Sequence, residues 1–189
     1  MTNIARLRDF VRSFTRLAGA EEERIFVDGK ALLAELVAHD DWLPPQFAEP
    51  SAQRYQQYLL HCDPLERFSV SSFVWGPGQS TPVHDHTVWG MVGVLRGAEL
   101  CEEFSTDPFG ALRCAGAHQL PAGAIDLVSP RIGDIHRVSN AHADQVSVSI
   151  HVYGANIGTL VRHTYDPNSG QPSRFVSGYV NAVTPNLWM

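Results

Sequence analysis

The sequence predicts a mainly β fold, a small barrel or sandwich with a helical cap at its N-terminal end, and three observations carry that prediction. Helical periodicity is confined to the first third of the chain. From Arg67 onward, short segments rich in Val, Ile, Ser and aromatic residues are broken by Gly, Pro, Asn or Asp at the spacing of strands and turns. The 189 residues also contain no repeat, low-complexity tract or linker, so one domain spanning 1–189 is expected, with 1–62 as a mostly helical cap and 67–189 as the β-barrel.

The elements follow in order. In NIARLRDFVRSFTRLAG, the residues Ile4, Leu7, Phe10, Val11, Phe14, Leu17 and Ala18 recur at helical spacing, with Thr2 or Asn3 as a cap and Gly19 as a stop. A second helix is predicted after Asp28-Gly29, carried by Ala31, Leu32, Leu33, Leu36 and Val37 and ended by the prolines of DDWLPP. A third, short helix is predicted over Ala52–Leu60. Strands are expected at Arg67–Trp75, Val88–Leu95, Glu99–Phe104, Ala111–Gln119, Ile125–Val128, Ile135–Val138, Gln145–Tyr153 and Thr159–Tyr165, with a short one near Phe175–Val180. The most regular is QVSVSIHVYG: Val146, Val148, Ile150 and Val152 fall on one face, and Gln145, Ser147, Ser149, His151 and Tyr153 on the other. Alternation alone leaves open whether the polar face lines a cavity or meets water.

Composition narrows the function classes. With 44% hydrophobic and 18% charged residues and a net charge of −6, the chain reads as an ordinary soluble protein, and its scattered basic residues argue against nucleic-acid or anionic-membrane partners. It opens on no signal-peptide core and has no bilayer-spanning run, so a cytoplasmic location is expected. Cys62, Cys101 and Cys114 match no metal-binding spacing and are read as small, buried apolar residues.

The chemistry concentrates in GPGQSTPVHDHTVWGMVGVLRG. Residues two apart on a strand point the same way with Cα atoms about 6.5 Å apart, so His84 and His86 can reach one ion while Asp85 points away. Gly78, His84, His86, Gly90 and Gly97 resemble the first motif of the cupin family, with Gly90 standing where that family usually has glutamate. In PRIGDIHRVSN, the residues Pro130, Gly133, His136 and Asn140 resemble the second cupin motif, with one extra residue between proline and glycine. The resemblance implies a double-stranded β-helix (jelly-roll) barrel and His136 as a third ligand. Imidazole suits zinc, copper, iron and nickel alike. Three neutral ligands leave a divalent ion its full charge and open positions for an anionic, chelating substrate. The remaining histidines match neither motif. His39, His61 and His142 are expected in solvent, and His118 and His163 in surface or structural roles.

From about Tyr55 to Tyr165 the chain further resembles the thiol dioxygenases, more closely the bacterial 3-mercaptopropionate dioxygenases than cysteine dioxygenase. That resemblance implies Fe(II) held by His84, His86 and His136, a small thiol substrate, and addition of both atoms of O2 to its sulfur. The family's Ser-His-Tyr series matches Ser149, His151 and Tyr153, which implies that the polar face of their strand turns into the cavity. Gln57 stands where cysteine dioxygenase has a carboxylate-binding arginine, and Arg162 matches the arginine that the mercaptopropionate branch uses instead. Trp75 matches a tryptophan near the family's substrate. Gly90-Met91 replaces the cysteine that mammalian cysteine dioxygenases cross-link to tyrosine, so Tyr153 is expected as a free phenol. Cysteine is the alternative substrate, and a metal-containing binding or regulatory cupin is the alternative outside the enzymes. No sequence feature fixes the oligomeric state beyond a monomer or weak homo-oligomer.

Overall fold

The structure, a computed structural model, describes residues 3–108 and 110–188. Its strands are β1 (Gln56–Cys62), β2 (Ser69–Trp75), β3 (Val83–His84), β4 (Gly90–Arg96), β5 (Ala98–Thr106), β6 (Leu112–Pro121), β7 (Ile125–Val128), β8 (Ile135–Asn140), β9 (Ser147–Tyr153), β10 (Arg162–Tyr165) and β11 (Pro172–Phe175). They form two antiparallel sheets, ordered β1-β2-β9-β4-β7 and β11-β10-β3-β8-β5-β6. From β2 onward the chain crosses repeatedly between the sheets, so the two wrap a shared interior as a jelly roll, the predicted fold class.

Helix α1 (Ala5–Leu17) buries Leu7, Phe10, Val11, Phe14 and Leu17, the predicted stripe. Asn3 does not cap it; its side-chain amide reaches Asp41 instead, and Thr2 lies outside the described residues. The second helical segment starts earlier than predicted. A single α turn, α2 (Glu22–Arg24), runs through a π-helical turn (Ile25–Gly29) into α3 (Lys30–Val37), so Asp28-Gly29 lies inside the helix. These helices cover the outer face of the five-stranded sheet. Leu7, Phe14, Leu33 and Trp42 form one core with Val70, Val74, Met91, Val148, Ile150 and Val152. Burying each of these aliphatic side chains contributes about 1.5–3 kcal/mol. Close approach of α3 to β4 depends on Gly93, where a Cβ would lie 2.9–3.1 Å from Ile125, Val37 and Leu33.

The helix predicted over Ala52–Leu60 is not formed. Gln56–Cys62 is instead an edge strand, pairing Gln57 with Phe73 and Tyr58 with Ser72. Short apolar runs suit either period, and here pairing with β2 decides. The helical cap therefore ends at Val37, followed by a 3₁₀ turn at Pro45–Phe47, and does not extend to residue 62. His61 moves with this correction: it sits half-buried on β1, its ring 5.6 Å from that of Phe68. Arg162 is the first residue of β10, the predicted strand from Thr159 being shorter, and the last strand falls at Pro172–Phe175 rather than further on. Among the described residues, no helix is long and apolar enough to cross a membrane.

Candidate metal centre

His84 ends β3, directly opposite His136 on β8. His86 follows two residues later, outside the strand, on a turn whose geometry Asp134 fixes. The Asp134 carboxylate accepts the backbone N–H of His86 at 3.0 Å and of Thr87 at 2.9 Å. Thr87 has φ 62°, an unusual conformation for a β-branched residue, which those bonds hold in place. Asp85 points away, as predicted, accepting hydrogen bonds from the His163 N–H at 2.8 Å and the Tyr165 hydroxyl at 2.9 Å.

The three imidazoles form a near-equilateral triangle with ring centroids 4.8–4.9 Å apart, and each offers a ring nitrogen within 4.8 Å of the others. Their Nδ1 atoms are occupied: His84 by the Pro82 carbonyl at 3.0 Å, His86 by Asp134 at 3.0 Å and His136 by the Cys101 sulfur at 3.5 Å. Such outer contacts fix ring orientation and turn Nε2 toward the common point. The Nε2 of His86 is buried without any hydrogen-bond partner, a cost that a cation at the centre of the triangle removes. Burial, with help from the neighbouring histidines and Arg162, holds all three pKa values well below the usual histidine range. Neutral imidazole is the ligating form, so the residues present fit a metal ion.

The polar face of β9 turns inward. Ser149 Oγ and His151 Nε2 lie 2.8 Å apart, and His151 Nδ1 and the Tyr153 hydroxyl 2.7 Å apart, all nearly sealed from solvent. Phe73 stacks on His151 at 4.0 Å, and Tyr153 on His86 at 5.2 Å. Burial keeps His151 neutral and raises the Tyr153 phenol pKa above its ordinary value. Gly90 belongs to this arrangement. A Cβ there would lie 2.7 and 2.8 Å from Tyr153 ring carbons and 2.9 Å from Val128, so the tyrosine ring fills the space that a side chain at position 90 would need. Nothing at position 90 can bond to that ring.

A cavity of about 290 Å³ opens beside the triad, with His84, Tyr153, Arg162, Gln57, Tyr55 and Phe73 on its walls. Arg162, whose direction the sequence left open, points inward and is only 4% exposed. It donates from Nη2 to Ser177 at 2.8 Å and stacks over Phe175 at 4.6 Å, while its Nε has no partner. The Gln57 amide nitrogen is likewise buried without one. Residues 175–180 form the outer wall, tied by the N–H of Val180 to the Gln57 carbonyl and of Gly178 to that of Gly158. Trp75, predicted beside the substrate, stands one layer back, stacked on Tyr55, with its indole N–H donating to Ser149 at 3.3 Å.

Three residues near the centre carried no sequence signal for a role there. Asp134 braces His86, and Cys101, read as a small apolar residue, braces His136. Glu99 is fully buried on the inner side of β9, at the far end of its polar row, accepting from Ser147 at 3.1 Å. Burial raises its pKa to about 7, opposed in part by the polar groups of Ser149, Ser147 and Trp75 around it.

No family model matches the sequence. Among solved structures, the chain is similar to an uncharacterized protein with a double-stranded beta-helix domain from Klebsiella pneumoniae, at 18% identity and TM-score 0.46 over 62% of this chain and 92% of that one. It is also similar to a cupin superfamily protein from Desulfitobacterium hafniense, at 13% identity and TM-score 0.45 over 62% and 94%. An oxalate oxidase bound to glycolate is similar at 16% identity and TM-score 0.43, over 58% of this chain and 54% of that one.

Proposed function

We propose that the chain is an Fe(II)-dependent thiol dioxygenase acting on a small carboxylated thiol, converting 3-mercaptopropionate and O2 to 3-sulfinopropionate. The observation that carries this reading is Arg162: a desolvated guanidinium, with one hydroxyl partner and an orphaned Nε, faces the same cavity as His84 and Tyr153. A buried charge in that condition is stabilised by an anion, and a planar guanidinium suits a carboxylate.

His84, His86 and His136 would hold the iron, which supplies the charge that converts a thiol to a thiolate near neutral pH and a redox-active centre for dioxygen. Arg162 binds the carboxylate end of the substrate, and Gln57 offers its free amide N–H beside it. Together they direct the sulfur toward the histidine triangle, so orientation supplies much of the rate enhancement. Tyr153 remains a phenol. With the His151 proton on Nδ1, the imidazole donates to the phenol oxygen, Ser149 donates to Nε2, and the phenol O–H is left to donate into the cavity. Phe73, Tyr55 and residues 175–180 keep bulk water from the reacting sulfur. Both oxygen atoms end on sulfur and no other reductant is consumed.

Metal analysis followed by oxygen-electrode assays tests the proposal. Iron should be bound, and kcat/KM should be highest for 3-mercaptopropionate, lower for cysteine and lowest for cysteamine, which lacks the carboxylate. Higher kcat/KM for cysteine would reassign the substrate. Retained zinc or nickel with no thiol-dependent oxygen uptake would make the protein a binding module.

A further inference from the structure

A second set of metal-ligating side chains lies on the far side of His136. Cys101 on β5 and His118 on β6 are direct cross-strand partners, and Asp126 comes from β7, in the opposite sheet. The three meet where the edge strands of the two sheets come together. Each offers one ligand atom, and these atoms all lie within 4.8 Å of one another. His118 Nε2 is 3.3 Å from Asp126 Oδ2, while the other Asp126 oxygen accepts the backbone N–H of Leu127 at 2.9 Å. On the outer side, His118 Nδ1 lies 3.5 Å from the Glu103 carboxylate.

The donor set is selective. A thiol, an imidazole and a carboxylate converging from three strands suit zinc and its neighbours in the transition series, and a carboxylate on the far nitrogen of the histidine is the usual outer brace of such a ligand. The local charge asks for a cation as well. Asp126, Glu103 and Asp134 line the adjoining cavity of about 230 Å³, and among the described residues no arginine or lysine does. Cys101 is 1% exposed, whereas the side chains of His118 and Asp126 are 38% and 21% exposed, so the cluster runs from solvent down to a buried cysteine. Exposed histidine–carboxylate pairs contribute little by themselves and need no sulfur beneath them.

We infer that Cys101, His118 and Asp126 form a second metal site of the zinc type, with three protein ligands, Glu103 as the outer brace of His118, and an open coordination position facing the 230 Å³ cavity. On this inference His118, for which the sequence suggested a surface or structural role, also binds metal from its half-exposed position. The site binds metal whatever reaction occurs at the first centre. Its sulfur, 3.5 Å from His136 Nδ1, also places the two centres in contact through one ligand.

Cobalt(II) titration of the full-length protein, followed by absorption, tests the site directly, because the histidine triad contains no sulfur. A thiolate-to-cobalt charge-transfer band should grow to saturation by two equivalents per chain, one for each centre, and zinc should displace the cobalt and bleach it. The band should be lost in Cys101→Ser and in Asp126→Asn. It should also be lost in His118→Ala, whose half-exposed position spares the fold, with metal-free melting temperatures confirming that the variants are folded. Glu103→Gln should weaken binding about 10-fold. No band in the wild type, a band that survives Cys101→Ser, or one indifferent to both His118→Ala and Asp126→Asn would overturn the site.

Discussion

Strands β9 and β8 both face the cavity, but they carry their polar groups under different constraints. β9 is buried along its whole length, the helices covering one face and the second sheet the other. Its polar residues have no water to turn to, so Ser149, His151 and Tyr153 satisfy one another along the strand at 2.8 and 2.7 Å. β8 alternates: His136, Val138 and Asn140 are buried, while Ile135, Arg137 and Ser139 are half-exposed. Its inward histidine takes its brace from another strand, at Cys101. A strand covered on both sides thus builds a continuous polar network at the expense of tolerance, whereas a strand backed by solvent can present a single ligand and leave its neighbours free to vary.

Substitutions on the two strands should separate loading, rate and stability. His136→Ala on β8 should have the largest effect, eliminating bound iron and turnover together; metal analysis and oxygen uptake on the same sample check it, and activity without iron would contradict the ligand assignment. On β9 the two faces should part company. Tyr153→Phe should keep its iron while lowering the rate about 100-fold, and full wild-type turnover would remove the phenol from the mechanism. Ile150→Ala, on the helix-facing side, should cost about 2–5 kcal/mol in urea unfolding while leaving kcat per folded molecule intact.

A pH dependence comes from Glu99, at the end of the polar row of β9. Glu99 titrates near 7 in the folded protein, above its ordinary value of 4.5, so the stability it contributes is fully present below about 4.5 and lost as pH rises through 7. The loss is on the order of 3 kcal/mol. The buried histidines, whose pKa values are lowered, act in the opposite direction as pH falls below 6.5. The difference between wild type and Glu99→Gln therefore isolates the carboxyl, and should change by that amount between pH 4.5 and pH 8 in urea unfolding. A flat difference would mean that Glu99 titrates normally.

Much of the fold and of the centre was legible locally. Two histidines one residue apart, a third at fixed distance from a glycine and an asparagine, and a strand with strict alternation are all short-range patterns. What was not legible depends on register between distant strands. Cys101 reaches His136 because it pairs with Val138, one step along the same face, and no local pattern announces that pairing. Asp134 lies two residues before His136 yet serves His86, across a loop whose path the sequence does not display. β1 was misread because seven residues with mixed apolar positions fit either period, and only its partner β2 distinguishes them. Arg162 was singled out by the resemblance, but its inward direction depends on Ser177 and Phe175, which return from the C-terminal segment to meet it.

The glycine at position 90 ties two choices into one. Because the Tyr153 ring lies where a Cβ at 90 would go, an acidic side chain there requires the phenol ring to move. The two positions are therefore linked: a change at 90 is also a change in the setting of the phenol, and which residue one position tolerates depends on the residue at the other.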